Sequence, residues 1–170
     1  MQGKHILIGV TGGIAAYKTA YLIRDLVKRG AEVKVIMTEK AKAFITPLTL
    51  ATLSKNPILV DFFDPTNGAW NSHVSLGLWA DAYVIAPATA NTNAKMAHGI
   101  ADDALTTTFA AMRKPVVIAP AMNTNMYDSP ATQHAIHQLA QWENITMLDA
   151  ASGELACGTS GKGRMQEIDV

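Results

Sequence analysis

Cysteine is nearly absent from this chain. Its 170 residues include one, Cys157, which excludes an internal disulfide framework and makes a reducing cytoplasm the expected compartment. An excess of either charge is missing too: 14 Lys and Arg face 14 Asp and Glu. With no basic block, the electrostatic footprint of a nucleic-acid binder is lacking. No apolar run approaches the length that spans a bilayer, so no membrane partner is expected. The first ten residues set a lysine before apolar residues, as a secretory signal does. The apolar stretch breaks at Thr11, Gly12 and Gly13, too early for such a signal, and reads instead as a first strand. The five histidines lack ligand spacing and Cys157 has no second cysteine beside it, so no metal is expected. There is no internal repeat, low-complexity tract or linker.

What is present is a globular composition, 49% apolar and 16% charged, in a chain long enough for one continuous core. Short β-branched runs alternate with helical patterns. Residues 5–10, 33–37, 82–86 and 116–119 read as strands with the continuous apolar character of a sheet covered on both faces, and 145–148 as a possible fifth. Residues 13–29 read as a helix with Ile14, Tyr17, Ala20, Tyr21 and Leu22 near one face and Gly30 as its stop. Helices are also expected over 101–111 and 130–142. This alternation implies βαβ units: an α/β, doubly wound, mostly parallel sheet with helices on both faces. Residues 151–170 hold four glycines and few large apolar side chains, the composition of a loop or flap lying over something.

In such a sheet, ligands bind beyond the carboxyl ends of the strands. Three segments expected there carry small residues, hydroxyls and amides rather than charges. They run from Thr11 to Ala16, from Pro87 to Asn93 and from Pro120 to Met126. That chemistry suits a neutral polar ring system with a phosphate tail. Gly12 and Gly13 lead from a strand into a helix, whose N-terminal amides and dipole favour a phosphate; the same pair also suits a plain tight turn. Neither a nucleotide-triphosphatase loop nor a standard dinucleotide fingerprint is present. Thr38, Glu39 and Lys40, and residues Thr89 to Thr92, offer hydroxyl and amide contacts, or serve as helix caps. His73 stands just before an expected helix, as a surface residue or a catalyst. Cys157, in a glycine-rich stretch, is either an idle thiol or a functional one.

Together these segments resemble the homo-oligomeric flavin-containing cysteine decarboxylases, most nearly their phosphopantothenoylcysteine decarboxylase branch, which includes the N-terminal domain of a bifunctional coenzyme A enzyme. The resemblance rests on Gly9 to Lys18, Met37 to Glu39, Ala43 to Leu48, His73 with Leu76 and Gly77, Trp79 to Asp81, and Ala86 to Thr92. Pro120 to Asn123 with Met126 and Tyr127, Leu155 to Gly158, and Gly161 with Gly163 to Met165 complete it. It implies a flavodoxin-like or Rossmann-like three-layer sandwich, one FMN-binding decarboxylase domain over 1–170 with a substrate flap at about 151–165. It also implies a homotrimer or a dodecamer of trimers with FMN near a subunit interface, and a fused or separate phosphopantothenoylcysteine synthetase as partner.

By the same resemblance Gly12, Gly13 and Ile14 hold the phosphate side of FMN, with Thr38, Glu39, Lys40, Thr89, Ala90, Asn91, Thr92 and Ala121 as its other contacts. His73, Asn123 and Cys157 are the catalytic residues, and Met126, Glu154 and Ala156 join Asn123 around the substrate. Gly13 departs from the family, many members of which have serine there. The implied reaction takes phosphopantothenoylcysteine to phosphopantetheine. Oxidation of the cysteine side chain to a thioaldehyde sets C=S where it can accept the electrons left by carbon dioxide, giving an enethiol. Re-reduction, with Cys157 as proton donor, yields the saturated thiol. The alternatives are a peptidyl-cysteine decarboxylase, which need not complete that reduction, and a non-catalytic regulatory flavoprotein.

Overall fold

The computed structural model describes residues 1–63, 66, 68 and 72–168. Its centre is a six-stranded, wholly parallel sheet in the order β3-β2-β1-β4-β5-β6. The strands are β1 (His5–Val10), β2 (Glu32–Met37), β3 (Ile58–Leu59), β4 (Ala82–Ala88), β5 (Val116–Pro120) and β6 (Ile145–Met147). The order reverses direction between β1 and β4, which makes a crevice at their carboxyl ends.

Both faces of the sheet are buried, because alternate side chains of a strand point to opposite sides. Ile6, Ile8 and Val10 of β1, with Val33, Val35 and Met37 of β2, pack with Ile23 of α1 (Ala16–Lys28) and Leu50 of α2 (Pro47–Ser54). Leu7, Ile36, Tyr83, Ile85 and Ile118 face the other way. They meet Leu105 and Phe109 of α5 (Ala104–Ala111) and Leu139 of α7 (Pro130–Ala140). Each such side chain contributes about 1.5–3 kcal/mol by leaving water. The doubly wound expectation is met.

Boundaries moved where caps and turns decide them. The first helix begins at Ala16 rather than 13 because Gly13 to Ala15 form a tight turn, Ala16 N–H donating to Gly13 O at 3.0 Å. The helix expected from 101 begins at Ala104 because the Asp103 carboxylate accepts from Thr106 N–H at 2.7 Å, capping it there. The segment after β4, notable in sequence for its hydroxyls and amides, runs into helix α4 (Ala90–Ala97), which the strand and helix patterns do not mark. The last segment is not an irregular loop but an antiparallel hairpin, β7 (Ala151–Glu154) and β8 (Ser160–Arg164); the end of the 151–170 span, residues 169 and 170, lies outside the described residues. A 3-10 turn (Glu39–Ala43), α3 (His73–Trp79) and the short α6 (Thr124–Tyr127) complete the described elements. Among the described residues no helix is long and apolar enough to cross a membrane.

Candidate functional site

A cavity of about 1080 Å³ opens at the carboxyl edge of the sheet, between the ends of β1, β2, β4 and β5 and beneath the β7–β8 hairpin. Its floor is tied together by two threonines. Thr11 Oγ1 donates to Pro87 O at 2.5 Å and accepts from Thr89 N–H at 3.2 Å. Thr19 Oγ1 donates to Ala86 O at 2.7 Å. These bonds join the end of β1 and helix α1 to the segment around the cis Ala86–Pro87 bond. Asn93, fully buried, donates from Nδ2 to Ala88 O at 3.1 Å and Thr89 O at 2.9 Å, fixing the turn into α4.

The cavity gathers every cofactor residue named from sequence. Gly12, Gly13 and Ile14 come from the turn before α1, Thr38, Glu39 and Lys40 from the end of β2. Thr89, Ala90, Asn91 and Thr92 come from the start of α4, and Ala121 from the end of β5. Thr89 is both a cap, its Oγ1 accepting from Thr92 N–H at 3.3 Å, and a wall residue. Two helix N-termini, those of α1 and α4, therefore abut one space, the electrostatic setting for an anion.

Residues around this space fit a phosphate-bearing flavin. Thr38 Oγ1 is buried without a partner among the described residues and lies in the cavity wall. A buried hydroxyl left this way costs about 1–3 kcal/mol unless a ligand takes it. Gly12 is a cradle: a Cβ there would come 2.8 Å from Lys40 Cβ and 3.0 Å from its carbonyl carbon. The turn after β1 can thus pack against Lys40 in the cavity wall only because the side chain is missing.

The substrate residues meet over the same space. Asn123 Oδ1 accepts from Asn125 N–H at 2.8 Å and Met126 N–H at 3.3 Å, which fixes the amide and turns Nδ2 toward Cys157 Sγ, 3.6 Å away. Met126, Glu154 and Ala156 line the cavity alongside them. The hydrogen bonds of Thr159, then that of Asn123, hold the Cys157 thiol below its ordinary range.

The hairpin is seated rather than loose. Met122 N–H donates to Gly163 O at 2.9 Å. Gly161 lies against Thr124, and Gly163, at φ +149°, against the Met122 carbonyl. Behind it, Lys18 donates to Met165 O at 3.0 Å and to Glu167 Oε1 at 2.7 Å. That ammonium holds the Glu167 carboxyl below the usual range.

His73 is not among the residues lining the cavity. It opens α3, half-buried, with its ring 5.5 Å from that of Phe62, edge to face. Trp79, at the other end of α3, stacks on His5 at the start of β1, and the helix separates His73 from that end by about 9 Å along its axis. Its neighbours Trp70 and Asn71 lie outside the described residues. Sequence reasoning had assigned no site role to Tyr17, Lys18, Lys95, Asp103, Arg164 or Met165, all of which line the cavity. For Tyr17, Lys18, Arg164 and Met165 the signal is their place in the recognised motifs; for Asp103 and for Lys95, paired with Asp102 at 2.9 Å, there is none.

The fold and the site define a flavin-binding α/β protein, its ligand space at the switch point of a doubly wound sheet. The chain belongs to the Flavoprotein family, whose model matches residues 1–170. It is 47% identical over 167 residues to the coenzyme A biosynthesis bifunctional protein CoaBC of Bacillus subtilis, covering 98% of this chain and 41% of that protein. It is 63% identical over 123 residues to a cysteine/cysteine sulfinic acid decarboxylase from an unknown prokaryotic organism, covering 72% of this chain and 34% of that protein. The chain thus spans about two fifths or less of the length of these curated relatives. Among solved structures, it is similar to a cysteine-to-serine mutant of PPC decarboxylase complexed with pantothenoylaminoethenethiol. The TM-score is 0.84 at 31% identity, over 99% of this chain and 93% of that one. It is also similar to the FMN-dependent cysteine decarboxylase SpaF, with TM-score 0.78 and 35% identity over 94% and 90% of the two chains.

Proposed function

We propose that this chain is a phosphopantothenoylcysteine decarboxylase, a carboxy-lyase of coenzyme A biosynthesis that uses FMN and works in the cytoplasm. The observation that carries the reading is the meeting of Asn123 Nδ2 and Cys157 Sγ at 3.6 Å over a cavity walled by the flavin-contact residues. When bound, FMN supplies a two-electron acceptor for the cysteine side chain and returns the electrons later.

The protein's own part is to bind, orient and protonate. Gly12, Gly13 and Ile14 would hold the phosphate end of the cofactor, and Thr38, Glu39, Lys40, Thr89, Ala90, Asn91, Thr92 and Ala121 would make its other contacts. Asn123 orients the substrate carboxylate through its neutral amide. A fixed cation would stabilise that carboxylate most before its charge is lost, favouring the ground state over the transition state. Cys157, on the hairpin that serves as substrate flap over 151–165, gives its proton to the enethiol carbon. Met126, Glu154 and Ala156 close around the substrate.

His73 acts as base toward, or orienter of, the reacting thiol, and reaches the cavity of a neighbouring copy. Two apolar surfaces support this assembly. Val74 and Leu78 follow His73 on α3, Ile14 and Tyr17 line the cavity, and Tyr21 stands one turn further along α1; all five are more than half exposed. A contact between two different patches closes into a ring where its rotation allows, and the ring proposed is a homotrimer, alone or in a dodecamer. A fused synthetase, matching the bifunctional relatives, belongs to the same reading.

The test is to purify the protein, record its visible spectrum, add phosphopantothenoylcysteine and follow product mass, with free cysteine as the comparison substrate. A yellow protein that forms phosphopantetheine, and a Cys157→Ser variant that releases carbon dioxide but stops at the enethiol, bear the proposal out. Turnover of free cysteine alone, or full product at the normal rate from the serine variant, counts against it.

A further inference from the structure

The tip of the hairpin holds Cys157 in a way the motif residues alone do not account for. Leu155 N–H donates to Thr159 O at 2.8 Å and Gly158 N–H to Leu155 O at 2.9 Å. This closes the tip around Gly158, whose φ of +81° is a left-handed conformation with nothing within 4 Å of its α-carbon substituent position. The turn puts the side chains two residues apart on one side, and Thr159 Oγ1 stands 3.1 Å from Cys157 Sγ. Asn123 Nδ2 stands 3.6 Å from the same sulfur. The thiol is therefore held by a hydroxyl from its own turn and an amide from the β5 loop.

Resting on the decarboxylase reading, we infer that Thr159 is a positioning residue for the proton donor: its hydroxyl orients the Cys157 thiol and stabilises the thiolate that proton transfer leaves behind. While the sulfur is protonated, either atom of the pair can donate. Once the proton has gone only the hydroxyl can, and a bond to an anion is stronger than one to a neutral thiol. The interaction thus grows as the proton moves, which is what lowers a barrier. In that step the S–H bond breaks and the C=C π bond is consumed. One carbon takes the proton and the other takes hydride from the reduced cofactor; water then reprotonates the sulfur.

The lowered thiol range agrees with this, its first cause being Thr159 and its lesser one Asn123. No charged side chain figures among what lowers it. Of the charged groups on the two strands that carry the tip, Lys162 is engaged with Asp149 at 3.3 Å and Arg164 with Glu167 at 3.2 Å. Glu154, at the end of β7, lines the cavity.

Because Cys157 is the sole cysteine, iodoacetamide alkylation of the flavin-loaded protein reads this thiol without background. In Thr159→Val, and equally in Thr159→Ala, the pH profile of alkylation moves upward and the rate at neutral pH falls about threefold. Thr159→Ser keeps the profile of the parent. In turnover the valine variant releases carbon dioxide and accumulates enethiol. Superimposable profiles for valine and parent overturn the inference, as does a serine variant shifted as far as valine, which would assign the effect to the methyl group. A parent protein that releases no carbon dioxide fails the decarboxylase reading while leaving the alkylation comparison intact.

Discussion

Asn123 and Cys157 lie 34 residues apart in sequence and 3.6 Å apart in space, amide nitrogen to sulfur. The contact depends on the other end of the same amide. Oδ1 is occupied in capping α6, so Nδ2 has one direction to face. A cap and a functional donor are the two ends of one side chain, and substitutions can separate them.

Asn123→Asp keeps the cap, since aspartate caps a helix about as well as asparagine. It replaces the donor with a negative charge beside the thiol and the expected position of the substrate carboxylate. Thermal unfolding then stays near that of the parent while kcat/KM falls about 100-fold or more, equivalent to roughly 3 kcal/mol of lost transition-state stabilisation. Asn123→Ala loses activity and also about 1 kcal/mol of stability from the missing cap. An aspartate variant that turns over normally would remove Asn123 from the mechanism.

Tyr83 gives a pH prediction away from the site. Its side chain is fully buried, the hydroxyl donating to Leu105 O at 3.3 Å. Burial first, and Asp103 second, push its phenol well above the ordinary tyrosine range. The unfolded chain therefore loses this proton at lower pH than the folded one. The contribution to stability is intact below the ordinary tyrosine range and declines as pH rises through it and beyond. Ultraviolet titration should show Tyr83 ionising only as the fold opens. Tyr83→Phe should remove that late step and cost about 1 kcal/mol for the lost hydrogen bond.

Gly163 is where the hairpin meets the β5 loop. At φ +149° its backbone is one that side chains rarely adopt, and a Cβ would strike the Met122 carbonyl. Gly163→Ala is expected to lift the hairpin off the loop, seen as faster proteolysis within 151–164 and loss of turnover with the sheet intact. Gly99→Ala is the control: φ is +70° but nothing stands within 4 Å, so its cost is conformational strain of about 1 kcal/mol without release of the hairpin.

Strands β1, β2, β4 and β5 were legible because a parallel sheet covered on both faces leaves continuous runs such as Ile6 to Val10. Strand β3, two residues long, is too short to leave a pattern. Helix α4 was hidden by its own composition: Asn91, Thr92 and Asn93 are poor helix formers. It forms because Thr89 caps it and because Asn93 satisfies two carbonyls from within the core. The β7–β8 hairpin contains glycine, serine and lysine where strands usually carry branched or aromatic residues. Backbone pairing and close approach to Met122 and Thr124 hold it, and neither leaves a hydrophobic signature. The site's glycines, threonines and amides could be picked out in sequence because they follow strands. Contacts such as Lys18 to Glu167, 149 residues apart, exist only once the chain is folded, and the position of His73 outside the cavity was likewise not readable from its motif.

Adjacent glycines in the first turn give opposite expectations. A Cβ at Gly12 would meet Lys40 at 2.8 Å and its backbone carbonyl carbon at 3.0 Å, so the neighbouring chain would have to move. A Cβ at Gly13 would have Thr89 Cγ2 at 3.8 Å as its nearest neighbour, an ordinary contact. Gly12→Ala should therefore weaken flavin retention, read as the ratio of flavin to protein absorbance after gel filtration, by about tenfold in Kd for 1.4 kcal/mol of displaced backbone. Gly13→Ser should retain flavin at least as well as the parent, because the added hydroxyl has room and stands among the expected phosphate contacts. Undiminished flavin retention in both variants would mean that the turn does not approach the phosphate, and would move the anion to the start of α4.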